Sequence, residues 1–159
     1  MISAFTIPDP ITATRGIAEP GTVRTQPNLE YQMKTINPDN VVKPASNYAQ
    51  GVIHGAAAQR IVISGQLGLR PDGTLEDGLE AQMERAWSNI FAVMAAAGFA
   101  RENLLRATIY VTLPGQVALY RKVRDKMLDG HLCAATYIEI SALAAPEFLV
   151  EIEAEAVRE

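Results

Sequence analysis

A thiol and an imidazole two residues apart, Cys133 and His131, are the first candidates for chemistry in this sequence. A cysteine nucleophile needs a nearby base or a lowered pKa, and residues i and i+2 of a strand share one face. The pair could form a reactive centre, but we favour the alternative that Cys133 fills space in the fold. With 1 cysteine and 2 histidines the chain fits no standard zinc spacing, so we expect no metal, no cofactor and no internal disulfide.

Two helices are predicted from apolar residues that recur at steps of three and four. The first begins at Gly78, with Asp77 as the N-cap of a capping box, and ends before Gly98. The second begins at Pro114, a residue suited to a first helical turn, and ends at Gly130.

Alternating and β-branched runs predict the strands of one mixed sheet. They lie at residues 51–57, 60–64, 105–111, 136–140 and 148–156, and the first two form a hairpin. The order β-β-α-β-α-β-β is that of an α/β domain with both helices on one face of the sheet. The other face then carries Tyr110, Tyr137, Glu139, Glu151 and Glu153. A sheet face with this mixture of polar and aromatic side chains is either solvated or packed against another copy of the chain. We therefore expect an oligomer.

The N-terminal region is rich in proline. Six of the nine prolines fall within the first 44 residues, and each fixes φ and removes a backbone donor. We therefore predict an extended arm at residues 1–35 and a folded domain at residues 36–159. Apolar residues such as Phe5 and Ile7 favour an arm that packs on its own domain or on a neighbouring subunit over a solvated tail.

The charge and hydropathy of the chain exclude several classes of protein. The net charge is -4 and the pI is about 5.2, whereas a nucleic-acid binder usually carries a basic stripe. No apolar run reaches the ~18 residues of a membrane span. The N-terminus lacks the basic and apolar regions of a signal peptide. We therefore expect a cytoplasmic protein without nucleic-acid or membrane partners.

Several short motifs follow one another along the domain. They are Ile36-Asn37-Pro38, Tyr48-Ala49-Gln50-Gly51-Val52, Ile63-Ser64-Gly65-Gln66-Leu67, Ala107-Thr108-Ile109-Tyr110-Val111-Thr112 and Val150-Glu151-Ile152-Glu153-Ala154. In these motifs the chain resembles the YjgF/RidA family, also known as endoribonuclease L-PSP, over about residues 36–158. The resemblance implies a chorismate-mutase-like α/β fold and a homotrimer whose sheets form a central barrel. It also implies a small metabolite in each of three clefts between subunits.

Members of this family hydrolyse reactive enamines and imines to ketones and ammonia. The resemblance implies that Glu151 is catalytic and holds the attacking water, and that Tyr48 and Ser64 contact the substrate. Each residue also has a purely structural interpretation. Glu151 could be a solvated or barrel-lining carboxylate, Ser64 could shape a turn, and Tyr48 could pack as an aromatic wall.

The chain departs from the family at the substrate carboxylate. In the family an arginine of a Pro-Ala-Arg-Ser motif binds that carboxylate, and alignment places Ala135 at the arginine and Cys133 at the proline. Tyr137 replaces a usually small residue, and Gly115 stands where many members have an asparagine. Arg106 could supply a substitute cation, although a surface arginine is the favoured interpretation.

Three functions remain open. The first is a deaminase or hydrolase acting on an imine, enamine or similar C–N metabolite, in which the substrate is neutral or is bound through another group. The second is a trimer that binds a small metabolite without chemistry, which the loss of the arginine favours. The third is the ribonuclease activity of the family's older label, which an acidic chain makes the weakest of the three.

Overall fold

The computed structural model describes residues 34–38, 43–53 and 59–158. Within them the elements are β1 (Lys34–Ile36), β2 (Gly51–Ile53), β3 (Gln59–Leu67), α1 (Gly78–Ala96), β4 (Leu104–Val111), α2 (Val117–Leu128), β5 (Ala134–Glu139) and β6 (Val150–Arg158). The proposed arm, residues 1–35, lies outside the described residues except for its last two, so its packing stays a prediction.

The main sheet has the strand order β3-β6-β4-β5. Strand β6 runs antiparallel to both of its neighbours, whereas β4 and β5 are parallel. A parallel pair needs a crossover, and α2 supplies it between β4 and β5. The mixed sheet predicted from the sequence is therefore present.

The predicted hairpin between residues 51–57 and 60–64 is wrong for residues 51–53, the described part of its first strand. Strand β2 pairs antiparallel with β1, with Lys34 opposite Ile53, and forms a separate two-stranded sheet. Residues 54–58 of that prediction lie outside the described residues. A β-branched run indicates a strand but does not say which strand pairs with it.

Helix α1 begins at Gly78 as predicted and buries a stripe of large apolar side chains. Its most enclosed members are Met83, Trp87, Ile90 and Met94, all at 1% exposure or less. Asp77 is the N-cap residue, but its side chain makes no capping hydrogen bond. After the helix, Gly98 has a φ of +77°, which is the conformation of a glycine C′ residue.

Helix α2 starts three residues later than predicted, at Val117 rather than Pro114. Its buried face consists of Tyr120, Val123, Arg124 and Leu128, while Val117 is exposed. An arginine on this face was not expected. It follows Tyr120 by four residues, so helical geometry places both side chains on one side.

The two faces of the sheet differ as expected along β4 and β6. Ile109 and Ile152 are fully buried in one core with residues of both helices. The open face carries Tyr110, Glu151 and Glu153; Tyr110 of β4 lies opposite Glu151 of β6, and Thr108 lies opposite Glu153.

The assignment of Tyr137 and Glu139 to the open face is wrong. Tyr137 lies opposite Ile109 in the parallel register of β4 and β5, and its ring stacks on Tyr120 of α2 with centroids 4.9 Å apart. Thr136 and Ile138 are exposed instead. The Tyr137 ring stacked on Tyr120 buries more apolar surface than Thr136 could in the same place. The side chains of β5 that face the helices are therefore those of Tyr137 and its alternate neighbours.

Candidate functional site

A β-bulge in β3 forms the first part of the candidate site. Ile63 pairs with Ala154 and Gln66 with Ile152, so Ser64 and Gly65 together oppose Glu153. The side-chain amide of Gln66 donates to the carbonyl oxygens of Ser64, at 3.0 Å, and Gly65, at 3.3 Å. These bonds brace the bulge from within its own strand.

The carboxylate of Glu151 lies against this bulge. An ideal Cβ built on Gly65 would fall 1.7 Å from Glu151 Oε1. Glu151 is half-buried, and Ser64 is exposed beside it. The structure thus brings together two residues predicted from the sequence, Glu151 and Ser64. We call Ser64, Gly65 and Glu151 the Glu151 group.

Tyr48 lies at the other edge of the sheet. The following residue, Ala49, forms a parallel bridge with Ala134, and its N–H donates to the carbonyl oxygen of Cys133 at 3.2 Å. This places half-buried Tyr48 near Ala134, the first residue of β5, which directly precedes Ala135. We call Tyr48 and residues 133–135 the Tyr48 group.

The two groups do not meet within one chain. Ala134 pairs with Arg106 of β4, whereas Glu151 pairs with Tyr110 of the same strand. Four residues along a strand span about 13 Å, and β5 and β6 flank β4 at a separation of about 10 Å. The backbones of Ala134 and Glu151 are therefore roughly 16 Å apart. A ligand that touches both groups needs one of them from another copy of the chain.

Gly115 and Tyr137, also predicted as site residues, meet at a third place. The N–H of Gly115 and the hydroxyl of Tyr137 both donate to Glu139 Oε1, at 2.7 and 3.0 Å. Burial and, secondarily, the bond to Glu139 raise the pKa of Tyr137 to about 12, so this hydroxyl stays protonated as a donor. Sequence reasoning did not include Glu139 in the site.

Ala135 packs against the core on the face that the helices cover, and it shares that face with Tyr137 two residues on. An arginine at this position would therefore compete for space with the Tyr137 ring.

Cys133 is part of the core and not of a ligand-binding surface. Its side chain is 1% exposed, and burial raises the pKa of the thiol to about 11. His131 Nε2 lies 2.7 Å from the carbonyl oxygen of Leu104, so that nitrogen is bonded to the backbone. The space-filling interpretation of Cys133 thus agrees with the structure. A substrate-binding thiol does not, because the side chain is enclosed.

We expect the Cys133 thiol to be unreactive in the folded protein. With a pKa of about 11, about one thiol in a thousand is ionised at pH 8, and the side chain is also enclosed. Titration with a chromogenic disulfide should be at least roughly 100-fold slower in native buffer than in denaturant. Comparable rates in the two solvents would contradict the core assignment.

Arg124 is a buried charge that the sequence analysis missed. It is 1% exposed, and its guanidinium lies 5.1 Å from the centroid of the Tyr120 ring. Its Nε and Nη2 donate to Asp125 Oδ1 at 3.0 and 2.7 Å. The other oxygen of Asp125 accepts from Asn47 Nδ2 at 3.2 Å. Asp125 therefore connects α2 to the segment that carries Tyr48, and Arg124 binds the other oxygen of the same carboxylate.

Arg106 is paired with carboxylates on the open face. Its Nη2 is 3.5 Å from Glu153 Oε1, and its Nε is 3.8 Å from Glu155 Oε1. Tyr110 donates to the same oxygen of Glu153 at 3.2 Å. Burial, then the charge of Glu153, raises the pKa of the Tyr110 hydroxyl. Arg106 is thus already paired with carboxylates, one of which, Glu155, also pairs with Arg60.

Two further findings concern groups of residues. In the described part of the chain, no three His, Cys, Asp or Glu side chains are placed to hold a metal ion. Neither of the two described helices has the length and apolar character needed to cross a membrane.

Comparison with known proteins places the chain in a family. The family model for endoribonuclease L-PSP matches residues 39–158. A RutC family protein of Aquifex aeolicus is 34% identical over half of this chain, and the match spans 62% of that protein. A 2-iminobutanoate/2-iminopropanoate deaminase of Salmonella typhimurium is 27% identical over 79% of this chain and 98% of its own length.

A solved structure supports the same assignment. A Rid-family protein of unknown function from Yersinia pestis superimposes with a TM-score of 0.72 and 27% identity, over 79% of this chain and 98% of that one. The α/β fold class predicted from the sequence is thereby confirmed. The chain belongs to the endoribonuclease L-PSP family, which includes the YjgF/RidA proteins.

Proposed function

We propose that this protein hydrolyses an imine or enamine of a small metabolite to a carbonyl compound and ammonia. The observation that carries the proposal is the half-buried carboxylate of Glu151 beside the Ser64–Gly65 bulge, on the face of the sheet that the helices leave open. The named activity of the Salmonella relative supports the same reaction class at 27% identity.

In the proposed reaction Glu151 acts as a general base. Water attacks the imine carbon while one of its protons passes to the carboxylate, and the C=N bond becomes a single bond as the nitrogen takes up a proton from solvent. Glu151 then returns its proton to the nitrogen of the carbinolamine, the C–N bond breaks with release of ammonia, and the hydroxyl proton passes to solvent as the carbonyl forms. A carboxylate can do this when it lies about 2.6–3.2 Å from the water oxygen.

The proposed substrate is neutral where the relatives' substrates carry a carboxylate. Position 135 is an alanine packed on the core, and Arg106 already faces Glu153 and Glu155. Arg60 is likewise paired with Glu155. This arrangement favours an uncharged substrate over an anion.

The proposed site lies between subunits of a homotrimer. Its basis is the distance of roughly 16 Å between Ala134 and Glu151 in one chain, which a small metabolite does not span. The neighbouring subunit would bring its Tyr48 group to the Glu151 group, with a small metabolite between them. We also propose that the protein acts in the cytoplasm and without a cofactor.

A non-catalytic metabolite-binding trimer is the second candidate, and Ala135 is the observation that favours it. Such a protein would bind the imine or its product without releasing ammonia. A ribonuclease is less well supported, because the chain has a net charge of -4.

The test of the proposal uses a matched pair of substrates, 2-iminopropanoate and its neutral amide. We expect ammonia release from the amide to be faster than from the carboxylate, because the carboxylate has no arginine partner at position 135 and is repelled by Glu151 and Glu153. Compared with a relative that has the arginine, the lost charge-assisted contact of about 1.5–3 kcal/mol should lower kcat/KM on the carboxylate by about 10- to 100-fold. If neither substrate releases ammonia, the result would favour the non-catalytic metabolite-binding trimer.

Restoring the arginine should reverse this preference. Because position 135 shares a face with Tyr137, we expect the gain on 2-iminopropanoate, about tenfold or more in kcat/KM, in Ala135→Arg combined with Tyr137→Ala. Tyr137→Ala alone is the matched control. An Ala135→Arg/Tyr137→Ala protein that folds and still prefers the amide would show that position 135 is not the carboxylate-binding position.

A further inference from the structure

The contact between Gly65 and Glu151 is closer than any side chain at position 65 would allow. The three atoms nearest to an ideal Cβ there all belong to Glu151: Oε1 at 1.7 Å, Cδ at 2.6 Å and Cγ at 2.8 Å. Separations below 3.0 Å are essentially never seen for a real Cβ. The Glu151 side chain therefore occupies the volume that an alanine methyl group would fill.

Backbone conformation does not explain the glycine. Among the described glycines, those with positive φ are Gly73, Gly78, Gly98, Gly115 and Gly130. Gly65 is not in this set, so an L-residue can adopt its backbone conformation without left-handed strain. The requirement at position 65 is one of space.

The bulge makes this contact possible. Glu151 is paired with Leu67, two residues from Gly65, and the extra residue in β3 shifts the strand relative to β6 between Ile63 and Gln66. A bulge changes the direction of neighbouring side chains. The bonds from the Gln66 amide to the carbonyls of Ser64 and Gly65 keep the bulge in one shape.

We propose that Gly65 is a positioning residue for the Glu151 carboxylate: the missing side chain at the braced bulge leaves the space in which the carboxylate is held. The inference rests on the proposed function of Glu151 as general base. A methyl group at position 65 displaces the carboxylate, and a displacement of about 1 Å from the productive geometry can cost about 10² in rate.

The experiment is a double-mutant cycle on the full-length protein, with wild type, Gly65→Ala, Glu151→Ala and the double variant. For each, kcat and KM are measured on the neutral amide of 2-iminopropanoate, and the melting temperature is measured separately. We expect Gly65→Ala to lower kcat by about 10²-fold with KM changed less than about threefold. The double variant should be no slower than Glu151→Ala.

The matched control adds the same methyl group at another crowded glycine, Gly68, where it meets a residue other than Glu151. At Gly68, three residues along, a Cβ would meet Gln82 Cα at 2.5 Å, and this glycine also lacks positive φ. Gly68→Ala should lower the melting temperature, because the collision is with the backbone of α1. Its kcat should stay within about threefold of wild type, since the change leaves Glu151 untouched.

The outcomes separate the inference from the function on which it rests. If Glu151→Ala abolishes turnover and Gly65→Ala keeps the wild-type kcat, the function stands and the positioning role is overturned. If Glu151→Ala keeps the wild-type kcat, the proposed function is overturned, and the melting temperatures then test whether Gly65 makes room for the Glu151 side chain. In that case Gly65→Ala should lower the melting temperature more when residue 151 is glutamate than when it is alanine. Equal decreases would show that the added methyl group does not meet Glu151, and the inference would be overturned as well.

Discussion

Replacing Glu151 with glutamine is expected to lower kcat for imine hydrolysis by about 10²- to 10⁴-fold, the usual contribution of a general base. Glutamine keeps the shape of the side chain beside Gly65 but cannot accept a proton from water. KM should change little, because the loss concerns the transition state rather than the bound substrate. Steady-state ammonia release on the neutral amide measures both constants.

The neighbouring carboxylate Glu153 provides the control for this prediction. It lies on the same open face and accepts hydrogen bonds from Tyr110 and Arg106. Glu153→Gln removes one negative charge without touching the bulge-bound carboxylate, and kcat should stay within about threefold of wild type. If Glu153→Gln and Glu151→Gln lower kcat equally, the effect comes from the negative charge of the open face. That result would contradict the role of Glu151 as a general base.

Replacing Arg124 with alanine is expected to destabilise the fold by about 3 kcal/mol. The substitution removes charge-assisted bonds to Asp125, the contact with the Tyr120 ring and a buried hydrocarbon stem. For a chain of this length the melting temperature should fall by roughly 6–12 °C. Thermal unfolding followed by circular dichroism gives the shift.

Lys126→Ala on the same helix is the matched control for Arg124→Ala. Lys126 pairs with Glu84 at 2.7 Å, but its side chain is 61% exposed. Exposed ion pairs contribute about 0–1 kcal/mol, so the melting temperature should fall by less than about 4 °C. Similar shifts for the two variants would contradict a structural role for the buried guanidinium.

The sequence predicted those parts of the fold in which one face of an element is uniformly apolar. Strands β4 and β6 have such faces, and their buried sides were correctly predicted. Strand β5 has apolar residues on both sides, and the alternation led to the wrong assignment of Tyr137 to the open face. The stacking of Tyr137 on Tyr120, a contact between distant residues, decides which side faces the helices.

The site was predictable only as far as the motifs reached. Glu151, Ser64 and Tyr48 were named from their motifs, and the assignment of roles to them stays a prediction. The Gly65–Glu151 contact depends on a register shift inside β3, which no local pattern indicates. Arg124 was missed because the helix was predicted from its apolar residues alone, although Arg124 follows Tyr120 by one helical turn.

The distance between the Tyr48 and Glu151 groups has a genetic consequence if each cleft combines two subunits. An allele defective at Tyr48 and another defective at Glu151 would each give an inactive protein when expressed alone. Expressed together, they would form mixed assemblies of the proposed trimer, in which some clefts receive an intact Tyr48 group from one subunit and an intact Glu151 from its neighbour. Two such alleles would therefore complement each other, whereas two alleles altered in the same group would not.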